Sequence, residues 1–418
     1  MEVNAVLTAI AFACFLSGAI PDRPRGPSAS SAASAAVQTT RPTPNSHAGY
    51  AGDAACQACH QDRVEAFHRT AHYLTSRLPT QGSILGQFNA DAGVLRTSNP
   101  NLLFRMEAKG PDFFQTAVEG VAPDTTMRSE RFGLVIGSGS KGQTYLYWKQ
   151  DQLFQLPVSY WSALGWVNSP GYRDGTANFD RPIIPRCLEC HATYFEAIPP
   201  PANRYRTSGG IVGITCEKCH GPGGAHVARY SSKSAPTSDS AILNPARFSR
   251  ERKMDLCAWC HAGHGRALRP WFSYVPGDPL DDYIELPRPD PSTPLDVHGS
   301  QVELLRKSRC FQSSAMTCFT CHDVHLPQHD LTALSQPCLQ CHRIEACGIF
   351  PQQGRQIANN CIDCHMPQQE TNLIVFDWKG GKLKPQVRNH WIKVYPDKVA
   401  PSGASVGGPG PRPLRPAR

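Results

Sequence analysis

The pattern C-x-x-C-H recurs seven times in this chain: Cys56-Cys59-His60, Cys187-Cys190-His191, Cys216-Cys219-His220, Cys257-Cys260-His261, Cys318-Cys321-His322, Cys338-Cys341-His342 and Cys361-Cys364-His365. Random placement of 17 Cys and 16 His over 418 residues would give about 0.03 such matches. The two-residue spacer lets both sulfurs reach one porphyrin edge, where each thiol adds to a vinyl group of the same haem. The next residue turns its imidazole over the ring and ligates iron from the proximal side. Zinc also uses C-x-x-C pairs, but it takes them two at a time. Seven is odd, and zinc leaves the following His without a role. A disulfide framework leaves that His unexplained as well. The expected cofactor is therefore covalently attached haem c, seven per chain.

Composition narrows the architecture. Charged residues are 18% of the chain, and Pro and Gly number 37 and 34. This is against long surface helices, coiled coils and helical repeats, which avoid helix breakers. No apolar run reaches the length of a membrane span, so a multi-span membrane protein is excluded. The net charge of +8 would alone suggest nucleic acid or anionic membrane. Two propionates on each of seven haems would add roughly −14, making the holoprotein net acidic near −6. The basic balance thus reads as counter-charge for cofactor, and no nucleic-acid motif accompanies it.

Residues 1–20 are expected to be a signal peptide or an uncleaved anchor. Residues 5–20 form an uncharged, mostly apolar run in which Ser17, Gly18 and Ala19 offer small residues for cleavage, although Glu2 makes a poor leading region. Any membrane association is expected only through this segment. Residues 21–48 read as a flexible linker and 396–418 as a disordered Gly, Pro and Arg tail. Between them lie a first haem segment (49–97), a β-rich stretch (98–186) and a six-haem region (187–395). Short runs such as Leu102–Met106, Phe113–Val118, Phe132–Ile136, Thr144–Trp148 and Leu153–Leu156, separated by turn residues, predict an antiparallel meander. Gly137-Ser138-Gly139-Ser140-Lys141-Gly142 matches G-x-G-x-x-G, but a strand follows it rather than a helix, so it reads as a hairpin loop. Six motifs within 179 residues give about 30 residues per haem. Porphyrin faces must then supply the missing apolar core, and haems packed this tightly lie close enough for electron tunnelling.

Nine His lie outside the motifs. His47 falls in the linker, which leaves eight candidates for seven distal positions. His226 and His325 follow their own motifs so closely that they are expected to ligate neighbouring haems. His72, His298 and His390 are the next candidates. His68, His264 and His329 are weaker, and His68 shares a helix face with His72 if that stretch is helical. Met316 and Met366 read as gap fillers between rings rather than ligands. Of the three remaining cysteines, Cys14 lies in the leader. Cys310 and Cys347 could form a structural disulfide in an oxidising compartment or stay as free thiols.

The chain resembles the multihaem cytochromes of the cytochrome c-554 group, including relatives with doubled C-x-x-C-H motifs. The resemblance covers about residues 50 to 395. It rests on Cys56-Gln57-Ala58-Cys59-His60 followed by Phe67 and His72, and on Leu156–Tyr160 before Ser169-Pro170-Gly171-Tyr172. It continues in Gly213–Gly223, in Met316–His325 and in Asn360–Pro367. It implies periplasmic electron transfer with mostly bis-His haems, sometimes with one haem open on its distal side, and Cys310 and Cys347 also look like family positions. The wider superfamily includes nitrite, hydroxylamine and tetrathionate enzymes. The nitrite reductases resembled carry Lys in place of one proximal His, whereas all seven motifs here end in His.

The expected fold is that of a multihaem cytochrome c: short helices and loops packed around seven haems, with an antiparallel β-rich insert between the first and second. The expected function is that of an exported electron carrier serving redox partner proteins, with the β-rich insert a structural lid or a docking face. The alternative is a reductase or oxidase of a small nitrogen or sulfur oxyanion at one five-coordinate haem.

Overall fold

The computed structural model describes residues 49–89, 91–232, 241–287, 292–378 and 381–398. The leader at 1–20, the linker at 21–48 and the tail beyond 398 lie outside the described residues, as do Cys14 and His47.

Alternation builds the first sheet. In chain order its neighbourhood runs β1 (Ser76–Arg77), β2 (Val94–Arg96), β3 (Leu102–Lys109), β4 (Asp112–Val121) and β5 (Asp124–Arg131). Leu102, Phe104 and Met106 point inward from β3, while Leu103, Arg105 and Glu107 lie on the opposite face and are less buried. β3 and β4 pair from Leu102↔Glu119 to Lys109↔Asp112. The two-residue turn between them has Gly110 at φ 61, the left-handed conformation that such a hairpin needs at its first position. β2, β3, β4 and β5 form one four-stranded antiparallel sheet.

The second sheet comprises β1, β6 (Leu134–Ile136), β7 (Gly142–Lys149), β8 (Gln152–Gln155), β9 (Val158–Trp161) and β10 (Gly165–Asn168), with order β1-β6-β7-β9-β10 and β8 also paired to β7. The glycine-rich loop joins β6 to β7, which pair antiparallel with Ile136 opposite Thr144. Instead of one meander there are two sheets, and they recruit β1 and β2 from the stretch assigned to the first haem segment. β5 carries no apolar alternation and is exposed along almost its whole length. It exists because β4 offers it a full pairing edge.

The sheets enclose a conventional core. Phe104, Phe132, Tyr145, Leu156, Val158 and Trp166 are buried together, with the Phe132 and Tyr145 rings stacked at 4.4 Å. Burying each such side chain stabilises by about 1.5–3 kcal/mol. Gln115 on β4 pins one sheet to the other: its amide donates to the Val158 carbonyl at 3.0 Å and accepts from the Val158 N–H at 2.9 Å.

The helices around the motifs are short. They are α1 (Asp53–Phe67), α2 (Pro185–His191), α3 (Cys216–His220), α4 (Gly224–Ser231), α5 (Arg250–His261), α6 (Gln301–Arg306), α7 (Arg309–Gln312), α8 (Leu331–Leu339), α9 (Phe350–Gln353) and α10 (Ile362–His365). Local chemistry starts several of them. Pro185 opens α2, where its missing N–H is no loss. Ser249 and Asp330 cap α5 and α8 through side-chain acceptors. A second small core gathers Met254, Ala258, Trp259, Leu280, Tyr283, Ile284, Val302 and Leu305 around α5 and α6. Beyond Phe311 the protein core thins out. From there to Met366, Ile362 is the one buried apolar side chain among the described residues.

Candidate haem-binding sites

Each motif sits on a helical turn. The second, third, fourth and seventh end α2, α3, α5 and α10 at their His. The first lies inside α1, which kinks at His60, where φ is −120 and ψ is 37. The fifth occupies a 3₁₀ turn at Cys318–Thr320, and the sixth follows from the last turn of α8. A helical turn places residues three apart on one side, so both thiols of each motif face the same way and the imidazole comes next to them.

Several proximal imidazoles are oriented through Nδ1. That atom of His191 meets the Thr75 hydroxyl at 2.8 Å, that of His220 the Leu243 carbonyl at 2.8 Å, and that of His322 the Gln328 side-chain carbonyl at 3.1 Å. In His365 it meets the Lys393 carbonyl at 2.9 Å. A carbonyl there fixes the Nδ1–H tautomer and leaves Nε2 with its lone pair outward, as an axial iron ligand requires. Burial, joined by the neighbouring His298, lowers the His191 pKa to about 4. Burial, joined by His72 and other imidazoles, brings His261 to about 4 as well. Both are therefore neutral, the form that binds metal.

Four proximal rings face a second imidazole from elsewhere in the chain. His60 and His226 have centroids 6.5 Å apart, His220 and His325 6.2 Å, His261 and His72 6.2 Å, and His322 and His390 6.3 Å. Two metal–nitrogen bonds of about 2 Å on opposite sides of one metal, with each ring centre about 1.1 Å beyond its nitrogen, place the centroids ~6.2 Å apart. The spacing of all four pairs thus suits one iron between two imidazoles. The interplanar angles are 18°, 34°, 80° and 35° in the same order.

The remaining candidates differ. His298 lies close enough to His191 to disfavour its protonation, and His264 acts on His298 in the same way. His68 is committed elsewhere, with Nε2 on the Asp53 carboxylate at 2.9 Å and its ring stacked on Tyr73 at 3.8 Å. His329 is exposed, as is the proximal His342. Cys310 and Cys347 are not joined; both are free thiols. Cys310 neighbours Cys321 and Cys338, whereas Cys347 neighbours Cys361 and Cys364.

The motifs also meet one another. The Cys216 N–H donates to Asp53 at 3.3 Å, joining the third motif to the first helix. Arg186, beside the second motif, donates to the Trp259 carbonyl of the fourth at 2.8 Å. Cys318 of the fifth lies 3.8 Å from Met254 on the helix of the fourth. The Cys361 N–H of the seventh reaches Ser335, on the helix of the sixth, at 3.1 Å. Thiols of different motifs touch in the same combinations: Cys56 with Cys216, Cys190 with Cys260, Cys257 with Cys318, and Cys338 with Cys361.

The residues fit haem on a further ground. The buried atoms Arg186 Nε and Tyr274 Oη have no protein partner, and such donors suit a propionate. Among the described residues no group of three or more His, Cys, Asp and Glu side chains converges as a metal cage.

A family model for cytochrome c554 and c-prime matches residues 172–221, the segment that carries the second and third motifs. Together with the seven motifs, this match supports a multihaem c-type cytochrome, a class in which haem is held covalently. Among solved structures, that of the outer cell wall cytochrome OcwA is similar to this chain, with a TM-score of 0.50 at 19% identity, covering 84% of this chain and 81% of that one. No curated protein sequence matches. No helix among the described residues is long and apolar enough to cross a membrane.

Proposed function

We propose that this chain is an exported heptahaem cytochrome that passes electrons one at a time along a chain of mostly bis-His haems. The observation that carries this reading is the set of four facing imidazole pairs. His226 would close the haem of His60, His325 that of His220, His72 that of His261 and His390 that of His322, with His298 assigned to His191. Bound haem supplies the one-electron Fe(III)/Fe(II) couple, and two imidazoles favour low-spin iron in both states. The protein residues set ring orientation, keep the ligands neutral and bring neighbouring motifs into contact. Those contacts support a path in which the fourth motif touches the second and the fifth, while the first joins the third and the sixth joins the seventh. The likeness to an outer cell wall cytochrome and the apolar leader both support export. Donor and acceptor are redox proteins.

Low-temperature EPR of the oxidised, fully matured protein tests this. Low-spin signals accounting for all or nearly all of the haem are the expected result. A ferric high-spin signal of about one haem per chain would instead favour an oxyanion reductase or oxidase, and nitrite, hydroxylamine and tetrathionate turnover would then be assayed.

A further inference from the structure

The spacer residues of three haem motifs meet in one buried network. Glu189 is the second spacer of Cys187-Leu188-Glu189-Cys190, Lys218 that of Cys216-Glu217-Lys218-Cys219, and Trp259 that of Cys257-Ala258-Trp259-Cys260. Glu189 is 1% exposed. Its Oε1 accepts from Lys218 Nζ at 2.9 Å and from Trp259 Nε1 at 2.9 Å, and its Oε2 accepts from the Phe272 N–H at 2.5 Å. Lys218 Nζ also reaches the Thr193 carbonyl at 3.4 Å and lies 5.1 Å from the Phe272 ring centre. A spacer is free to face solvent, since it contributes neither sulfur nor imidazole. Here three of them, from motifs 29 and 70 residues apart, turn to the same point.

We propose that Glu189 and Lys218 form a charge-balanced positioning pair for the second, third and fourth haems, locking their attachment turns together and shielding their reduction potentials from the field either charge alone would impose. This rests on the haem reading above. The physical basis is charge in a low-dielectric interior. Reduction adds one electron to a haem, so a nearby unpaired anion favours the ferric state and lowers the potential, whereas an unpaired cation raises it. Joined by a 2.9 Å contact, the two charges largely cancel; removing either exposes the other beside all three haems. Glu217 makes a parallel tie, accepting from the Ala51, Gly52 and Gly223 N–H groups at 2.7–2.9 Å. It has no cationic partner in those contacts, so it serves here as a link from the third motif to the entry of the first.

The test is a spectroelectrochemical titration of matured holoprotein carrying Glu189→Gln, Lys218→Met or both, with haem content measured first. A wild-type haem content well below seven would break the haem reading itself, before any variant is compared. With full content, Glu189→Gln is expected to shift at most three haems to higher potential. Lys218→Met is expected to shift the same subset lower, and the double variant to return near wild type. Unmoved potentials, or shifts of the same sign in both single variants, would overturn the proposal, because loosening moves the potentials the same way whichever charge is removed. Should either charge-removing variant fail to load haem, Trp259→Phe decides alone. It removes one donor from the carboxylate without stranding a charge: a smaller downward shift in a subset supports the pair, and an unchanged titration overturns it.

Discussion

The two sheets and the stretch carrying the fifth to seventh motifs solve the same problem by different means. The sheets bury Phe104, Phe132, Tyr145 and Trp166 against one another and tie their backbones together through Gln115. From Cys318 to Cys364 the protein buries one apolar side chain, Ile362. It nevertheless contains three attachment motifs in 48 residues from Cys318 to His365. A polypeptide that gives up its own core in this way depends on a partner that brings apolar surface, and a porphyrin does so. On the proposed reading, the region with its own core folds without cofactor, and haem supplies the core where the polypeptide has none.

The largest expected effect breaks this comparison most directly. In chain produced without haem attachment, limited proteolysis should remove the region after Phe311 rapidly and leave the segment from Ser76 to Asn168 protected. Equal susceptibility of the two would show that the contrast in burial has no energetic meaning. The next prediction acts on the sheets alone. Gln115→Ala strands the Val158 N–H and carbonyl and should destabilise the β region by about 2–4 kcal/mol, read by denaturant unfolding, while the haem absorption spectrum stays unchanged.

A third prediction acts on the haem side alone. The His72 and His261 planes cross at 80°, whereas the other three pairs lie between 18° and 35°. Crossed planes leave the two iron d orbitals of π symmetry nearly equal in energy, which gives a highly anisotropic low-spin signal. His72→Ala should delete that signal and create one high-spin haem, leaving the β region's unfolding midpoint in place. The smallest effect is expected at Met127, 69% exposed on β5. Met127→Lys should alter stability by less than about 0.5 kcal/mol, and slowed reduction by a redox partner in that variant would mark β5 as a docking face.

Sequence alone carried local chemistry well and distant pairing poorly. The helical turns that carry the motifs are legible because the proposed haem attachment dictates residue order over five consecutive positions. The β3–β4 hairpin is legible in the alternation of Leu102, Phe104 and Met106. β5 was missed because Asp124-Thr125-Thr126-Met127-Arg128 has no inward face, and only β4 makes it a strand. The division into two sheets was missed for a similar reason, since it depends on β1 crossing to β6 and on Gln115 reaching β9. Among the distal candidates, His72, His226, His325 and His390 each come opposite a motif His. His68, four residues before His72, is held instead by Asp53 and Tyr73, a pairing that closes across 15 residues. The Glu189–Lys218–Trp259 network had no local signal at all, because spacer residues are unconstrained by haem attachment itself.

The central claim is that all seven motifs carry haem, and that haem replaces the missing core. Intact-mass measurement of protein matured with haem-attachment machinery, before and after thiol alkylation under denaturing conditions, tests it most directly. The account predicts a polypeptide mass raised by seven haems, with alkylation confined to cysteines outside the motifs. Fewer haems in fully matured protein, with motif thiols such as Cys338 and Cys341 open to alkylation, would contradict it.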